Sequence, residues 1–344
     1  MYSDTQLTIS VIIPVYKGGQ DFQQCLNALA TSSISPDEII IVADGGMNGT
    51  PRPHKSLAAR IIETPLPGGP ARARNLGAQQ ATGDILFFFD ADVAIQPDTI
   101  QKVKEIFSTT PQLSALFGSY DDAPGKSNFL SQYRNLLHHY VHQTGNKNAS
   151  TFWSGCGAIR RDVFLKFNGF NETLFDKPAI EDIELGYRLK KAGYQIQLCK
   201  DIQVKHLKRW SAVSIVKTDF FQRALPWTAL ILRDRNFLND LNTDSASRAS
   251  VILTFLLPVA LLAAFWQPVL FMLFAVMSCF LIFLNRQLYQ FFREKRGSWF
   301  TIKVLPWHWF YYVYSGLAFA IGIVDFFLGT LRGHPRIRYP LRNI

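Results

Sequence analysis

The chain has 344 residues, with 36 Lys plus Arg against 26 Asp plus Glu and a formal net charge of +10. Hydrophobic residues make up 48% and charged residues only 18%, below the roughly 25% usual for soluble domains. A disordered chain is excluded, because it would be poor in Phe, Leu and Ile. A disulfide-stapled mini-domain is excluded by the count of four cysteines. Cys25, Cys156, Cys199 and Cys279 form no CxxC pair and stand beside no histidine at zinc spacing, so buried, reduced thiols are expected. Residues 1–10 lack the basic start and apolar run of a secretory signal, so membrane insertion is expected to use internal segments.

In chain order, Thr8–Val15 reads TISVIIPV, a β-rich run suited to a buried parallel strand. Phe22–Thr31 has helical spacing, and Glu38–Ala43 is a second strand ending at Asp44-Gly45-Gly46. Ala71–Ala81 is an Ala-rich helix whose start, with Pro70 at its edge, offers free N–H groups to an anion. Arg72 and Arg74 add positive charge there. Asp84–Phe89 is a third strand, ending at Asp90-Ala91-Asp92. This alternation predicts an α/β domain with a mostly parallel sheet flanked by helices, and such sheets bind ligands beyond the carboxyl ends of their strands. Asp44, Asp90 and Asp92 all fall at those ends.

Two carboxylates at i and i+2 are costly together unless a cation accompanies them, and hard oxygens suit Mg²⁺ or Mn²⁺ bridging to a substrate phosphate. Asp44 stands where a carboxylate can accept from a nucleobase N–H. Trp153-Ser154-Gly155-Cys156-Gly157 allows close backbone approach to a ligand. Glu181-Asp182 opens a helix that ends in Lys190 and Lys191, matching the macrodipole, and a general base gains from so fixed a position. His206 is a candidate metal or diphosphate ligand.

After Arg248 the chain runs from Ala249 to Asn285 without a charge. A span takes about 20 apolar residues. A helical hairpin, Ser250–Phe265 and Val269–Leu284, turning at Gln267-Pro268, is expected, with one long bent helix as the alternative. A basic stretch with Arg286, Arg293, Lys295 and Arg296 follows. Val304–Leu331 is a third apolar segment, read as a crossing, an interfacial helix at 304–315 or a re-entrant loop. The expected organisation is a catalytic domain over 1–215, a connecting amphipathic segment over 216–248, membrane helices over 249–331 (the hairpin at 249–285, the third segment at 304–331) and a basic tail over 332–344. Positive loops stay cytoplasmic, which predicts a multi-pass inner-membrane protein with a cytoplasmic catalytic domain.

Taken together, VIIPVYKGG at 11–19, IIIVADGGMNGT at 39–50, GPARARNLGAQQATGDILFFFDADV at 69–93, GCGAIRRDVFLKFNGFNE at 155–172 and EDIELGYRLKKAGY at 181–194 resemble the inverting glycosyltransferases of family 2. The resemblance covers about residues 8–210. It implies a GT-A (Rossmann-like) fold, a nucleotide-diphosphate sugar donor (UDP- or GDP-sugar), a Mg²⁺ or Mn²⁺ cofactor and no nucleic-acid partner. It also implies roles by position. Asp90 and Asp92, with His206, would hold the metal. Asp182 would be the base that activates the acceptor hydroxyl. Pro14, Asp44, Arg72, Arg74, Asp90, Arg209 and Trp210 would line the donor site, Asp44 at the base. Arg209-Trp210 resembles the end of the Gln-x-x-Arg-Trp motif of processive synthases, but His206 stands where Gln belongs; Tyr16-Lys17 replaces the usual Tyr-Asn. The implied acceptor is a membrane-associated glycan or lipid, with a lipid-linked glycan of cell-surface polysaccharide assembly as the natural candidate. A processive polysaccharide synthase, a polyprenyl-phosphate sugar synthase and a non-catalytic sugar-nucleotide-binding scaffold are the alternatives. An oxidoreductase fits poorly, because Lys17-Gly18-Gly19 stands where GxGxxG would follow strand one.

Overall fold

A computed structural model describes residues 7–234 and 245–331. The chain forms two compact units that divide between Arg209 and Trp210. In the first, the elements run β1 (Ile9–Val15), α1 (Gln20–Ala30), β2 (Glu38–Ala43), β3 (Arg60–Glu63), α2 (Gly69–Gln80), β4 (Ile85–Phe89), β5 (Val93–Ile95), α3 (Thr99–Thr109), β6 (Leu113–Tyr120), α4 (Phe129–Thr144), β7 (Cys156–Arg160), α5 (Arg161–Lys166), α6 (Glu181–Lys191) and β8 (Gln195–His206).

The eight strands make one sheet in the order β3-β2-β1-β4-β7-β6-β8-β5. β3, β2, β1 and β4 are mutually parallel, and so are β6 and β8; β7 and β5 run against their neighbours. β1, β2 and β4 are apolar runs because helices cover both faces, leaving no polar side to alternate with. Pro14 is tolerated inside β1 because pairing with β4 ends at Ile12↔Phe88, so no ladder bond is lost where its N–H is missing. Val11, Ile13, Phe87 and Phe89 feed the core on one face of the sheet. Phe88, Phe164 and Phe170 cluster with ring centroids 5.2 to 5.5 Å apart. The resulting α/β layering is the one the sequence predicts, with antiparallel β7 and β5 completing a mixed sheet.

The second unit holds α7 (Ala212–Lys217), a π-helical turn at Thr218–Ala224, α8 (Leu225–Asp234), α9 (Ser245–Ala263), α10 (Leu270–Leu284), α11 (Arg286–Arg296) and α12 (Ser298–Leu331). α9 and α10 are separate helices that pack on each other. Asn285, at the end of α10, donates to Ser250 Oγ near the start of α9 (3.0 Å) and accepts from the Tyr312 hydroxyl of α12 (2.7 Å). That buried relay fixes an antiparallel pair against a third helix. Pro258 and Pro306 lie inside α9 and α12 without ending them, so Val304–Leu331 belongs to one continuous helix. Among the described residues, Ser245–Ala263 and Ser298–Leu328 are long and apolar enough to cross a membrane; α10 and α11 count as a third only if joined across their 67° bend. Phe265, Trp266, Val269 and Met272 are exposed around the α9–α10 turn. The basic tail expected at 332–344, and residues 235–244 of the expected connecting segment, lie outside the described residues.

Candidate active site

The carboxyl ends of β1, β2 and β4 carry Tyr16-Lys17, Asp44 and Asp90-Ala91-Asp92. The last trio is a tight turn: the Val93 N–H donates to the Asp90 carbonyl (3.0 Å) and the Leu207 N–H to the Asp92 carbonyl (2.8 Å). The second bond follows from β5–β8 pairing, which sets Val93 opposite His206. His206 Nε2 therefore comes to 3.7 Å from Asp92 Oδ2, while its ring stacks on Tyr120 at 4.3 Å between centroids. Loss of water raises the Asp92 carboxyl, but the nearby His206, and then Lys208, outweigh that and hold it below the usual carboxylate range.

Arg74 gathers the remaining acids. It is 4% exposed. Its Nη2 donates to Asp90 Oδ1 (2.6 Å) and its Nη1 to Glu181 Oε1 (2.8 Å). Burial alone would lower its proton affinity, but Asp90, Glu181 and Asp182 all act on it and raise it. Asp182 itself faces elsewhere. Its Oδ2 accepts from both the N–H (3.0 Å) and the hydroxyl (3.2 Å) of Ser154, and its Oδ1 from the Ile183 N–H (2.8 Å). Burial, then the negative charge of Glu181, push its carboxyl up to about 6, against the pull of the Ser154 bond and Arg74.

Asp44 is buried and committed. It accepts from the N–H groups of Gly68 (2.8 Å) and Gly69 (2.9 Å) and from the Thr64 hydroxyl (3.1 Å). Its carboxylate thus holds the loop that leads into α2, and those bonds occupy most of its acceptor capacity. Gly69 is required there: its φ is +85°, and a Cβ would lie 2.5 Å from the Asp176 carbonyl oxygen. Of the two α2 arginines, Arg72 is exposed and Arg74 is buried. Pro14 lies within β1, Arg209 is exposed at the end of the first unit, and Trp210 is buried in the second. Ser154 has no local sequence signal as a partner of Asp182, since the two are 28 residues apart.

The cation expected from the sequence can be tested against this donor set. Among the described residues no three His, Cys, Asp or Glu side chains converge as a closed metal cage. A magnesium-like ion needs none, because one or two carboxylates and substrate phosphates suffice. Asp90 keeps Oδ2 outside its Arg74 bond, and Asp92 is 29% exposed. Arg74 takes up one oxygen each of Asp90 and Glu181, which leaves Asp90 Oδ2 and the Asp92 carboxylate as the hard oxygens at the turn open to a divalent cation. The residues fit.

The geometry also depends on Gly186, in the middle of α6. A Cβ there would lie 2.4 Å from the Phe152 backbone nitrogen and 2.7 Å from the Thr151 carbonyl carbon. Its bareness lets α6 lie on the 151–153 backbone, so that Ser154 reaches Asp182. Backbone cannot step aside as a side chain can. Gly186→Ala is expected to destabilise the protein by about 2 kcal/mol or more, read as a lower Tm with activity falling alongside.

Residues 10–167 match the family described as Glycosyl transferase family 2. The chain carries a glycosyltransferase family 2 domain. The match spans β1 through α5, including the Asp90-Ala91-Asp92 turn. The uncharacterized glycosyltransferase YibD of Escherichia coli (strain K12) is 37% identical over 93 residues, 26% of this chain and 27% of that protein. The O-antigen chain rhamnosyltransferase RfbN of Salmonella typhimurium is 25% identical over 242 residues, 64% of this chain and 74% of its own. The mannosyltransferase PcManGT of Pyrobaculum calidifontis, solved with GDP-Man and Mn²⁺, shares the fold with a TM-score of 0.50 at 16% identity, over 93% of this chain and 87% of that one. The chain spans 27% to 57% of the length of several curated relatives it matches. The family 2 domain therefore sits on a mostly parallel GT-A-like sheet, followed by helices apolar enough for a membrane.

Proposed function

We propose that the protein transfers a sugar, with inversion, from a UDP- or GDP-sugar to a hydroxyl of a membrane-associated acceptor, a lipid-linked glycan of cell-surface polysaccharide assembly. The observation that carries this reading is the separation of roles among the acids: Asp90 and Asp92 line one turn, while Asp182 stands alone on Ser154 with a carboxyl raised to about 6. A base poised near neutrality is what a hydroxyl acceptor needs. Asp182 takes the acceptor proton as the acceptor oxygen attacks the anomeric carbon from the face opposite the diphosphate. Asp90 and Asp92, with His206 beside Asp92, would hold Mg²⁺ or Mn²⁺, which when bound neutralises charge on the leaving diphosphate. Arg72, exposed on the first turn of α2, adds a positive charge there. Asp44 positions that helix start for the nucleotide. RfbN's name as an O-antigen rhamnosyltransferase and the GDP-Man and Mn²⁺ of PcManGT support the donor class and the surface-polysaccharide setting.

Helices apolar enough to cross a membrane support a membrane setting for this chemistry, in our reading the cell inner membrane with the catalytic unit cytoplasmic. α12 has 34 residues, about 50 Å at 1.5 Å per residue, against a hydrocarbon core of about 30 Å. Its first half carries Trp299, Trp307, Trp309 and Tyr311, residues that favour the headgroup level. Incubating the full-length protein with radiolabelled sugar nucleotides, Mn²⁺ and membrane lipid extract tests the proposal. Label moving into the organic phase as one added sugar is expected. Long polymer instead marks a processive synthase, and nucleotide binding without any transfer marks a scaffold; either result overturns the reading.

A further inference from the structure

Two ion pairs share one buried guanidinium in this site, one to the buried Glu181 and one to the partly exposed Asp90. We propose that Arg74 is a positioning strut: its forked guanidinium fixes Asp90 on the donor side and Glu181 at the head of α6, setting the cation-binding turn and the acceptor base as one unit. This inference rests on the proposed roles of Asp90 and Asp182.

The Glu181 end of the strut and the helix that carries Arg74 are both firmly held. Glu181 spends Oε1 on Arg74 and Oε2 on the Ala179 N–H (3.0 Å), and is 4% exposed. It is almost wholly buried, whereas its neighbour Asp182 is only half-buried, which separates the two as partners for an incoming alcohol. Behind Arg74, the Asn75 side chain donates to the Phe170 carbonyl (2.8 Å) and accepts from the Phe170 N–H (2.9 Å), pinning α2 to the turn after α5. The guanidinium carbon sits 5.7 Å from the centre of the Phe170 ring. Arg74 Nε is buried without a hydrogen-bond partner. Such a group is costly, and what offsets it here is the fork itself. Two carboxylates at 2.6 and 2.8 Å from separate nitrogens of one plane are within reach of arginine, whereas lysine, though it has three donors, offers them all from one atom and cannot match that spacing. Asp90 and Glu181 lie far apart in sequence, in β4's trailing turn and at the start of α6, so no backbone bond does this work for them.

Removing the strut should disturb metal and base together. Full-length Arg74→Lys, Arg74→Gln, Glu181→Gln and, as control, Asp182→Asn are measured for thermal unfolding, Mn²⁺-dependent nucleotide binding and kcat/KM against pH. Arg74→Lys is expected to fold, to weaken Mn²⁺-dependent nucleotide binding and to lower kcat by about 10- to 100-fold, as a misplacement of about 1 Å does. The charged groups that bear on Asp182 are Glu181 and Arg74, so the acid limb should move in opposite directions: to higher pH in Arg74→Gln and to lower pH in Glu181→Gln. Loss of packing alone would not move it in opposite directions. Should the arginine variants fail to fold, Glu181→Gln decides: its amide oxygen can still accept from Arg74, while its NH₂ meets the Ala179 N–H, a mismatch of one hydrogen bond costing about 1 kcal/mol that leaves the fold standing. Wild-type kcat and metal response in Arg74→Lys, or an unmoved acid limb in Glu181→Gln, overturns the strut while Asp182→Asn stays inactive. An active Asp182→Asn overturns the base assignment instead.

Discussion

Asp182→Asn is expected to lower kcat by about 100- to 10,000-fold, the range a general base contributes, while nucleotide binding with Mn²⁺ stays near wild type. The substitution keeps the shape of the side chain. Its amide oxygen can still accept from the N–H and hydroxyl of Ser154, but its NH₂ then faces the Ile183 N–H, where wild-type Oδ1 accepts. That mismatch costs about 1 kcal/mol or a little more, too little to unfold the domain. The wild-type pH profile tests the same group. A base works deprotonated, and burial beside Glu181 has raised this carboxyl to about 6. Activity should therefore be full above that value and fall as pH drops through it, and the residual activity of Asp182→Asn should lack this limb. Turnover close to wild type in the variant would remove Asp182 as base. It would point to an acceptor that is already anionic, such as a polyprenyl phosphate, which needs no proton taken.

The parallel half of the sheet was legible because burial on both faces forces an unbroken apolar run. TISVIIPV, EIIIVA and DILFFF could be nothing else within an α/β order, and the acids that follow two of them mark the carboxyl ends where ligands bind. What local spacing could not carry is pairing across the chain. Arg74 and Glu181 are 107 residues apart, and Ser154 and Asp182 are 28 apart. A basic residue on the first turns of an Ala-rich helix reads as a surface charge or a phosphate contact, and only the fold shows that Arg72 is exposed and Arg74 buried between two acids. Asp44 is similar. Its place after β2 is visible in the sequence, but its bonds to Gly68 and Gly69 depend on how α2 returns to the sheet edge. In the second unit, hydropathy gives the apolar segments, whereas the continuity of α12 through Pro306 and the Tyr312 bond to Asn285 are visible only in the fold.

Asp90→Ala and Asp92→Ala should each weaken Mn²⁺-dependent nucleotide binding by about 10-fold to 100-fold or more, since a lost ligand costs at least what a lost outer-shell partner does. They should differ in stability. Asp92 sits at the lip of the site, and its removal costs His206 only a neighbour 3.7 Å away that Tyr120 stacking does not depend on. Asp90 is one of the two carboxylates that hold Arg74. Without it a fully buried guanidinium keeps Glu181 alone, and breaking one partner from a buried charge is costly because the remaining charge cannot return to water. Asp90→Ala should thus lower Tm by several degrees and by more than Asp92→Ala, which loses only the smaller stabilisation that its lowered carboxyl reflects. Calorimetric titration of UDP and GDP with and without EDTA separates the metal from this structural effect. In the wild type, EDTA should reduce affinity to the level of the variants; in the variants it should change little. Equal affinity in the wild type with and without the cation, together with unchanged binding in Asp92→Ala, would mean that the turn after β4 serves the fold through Arg74 and that no ion takes part in donor binding.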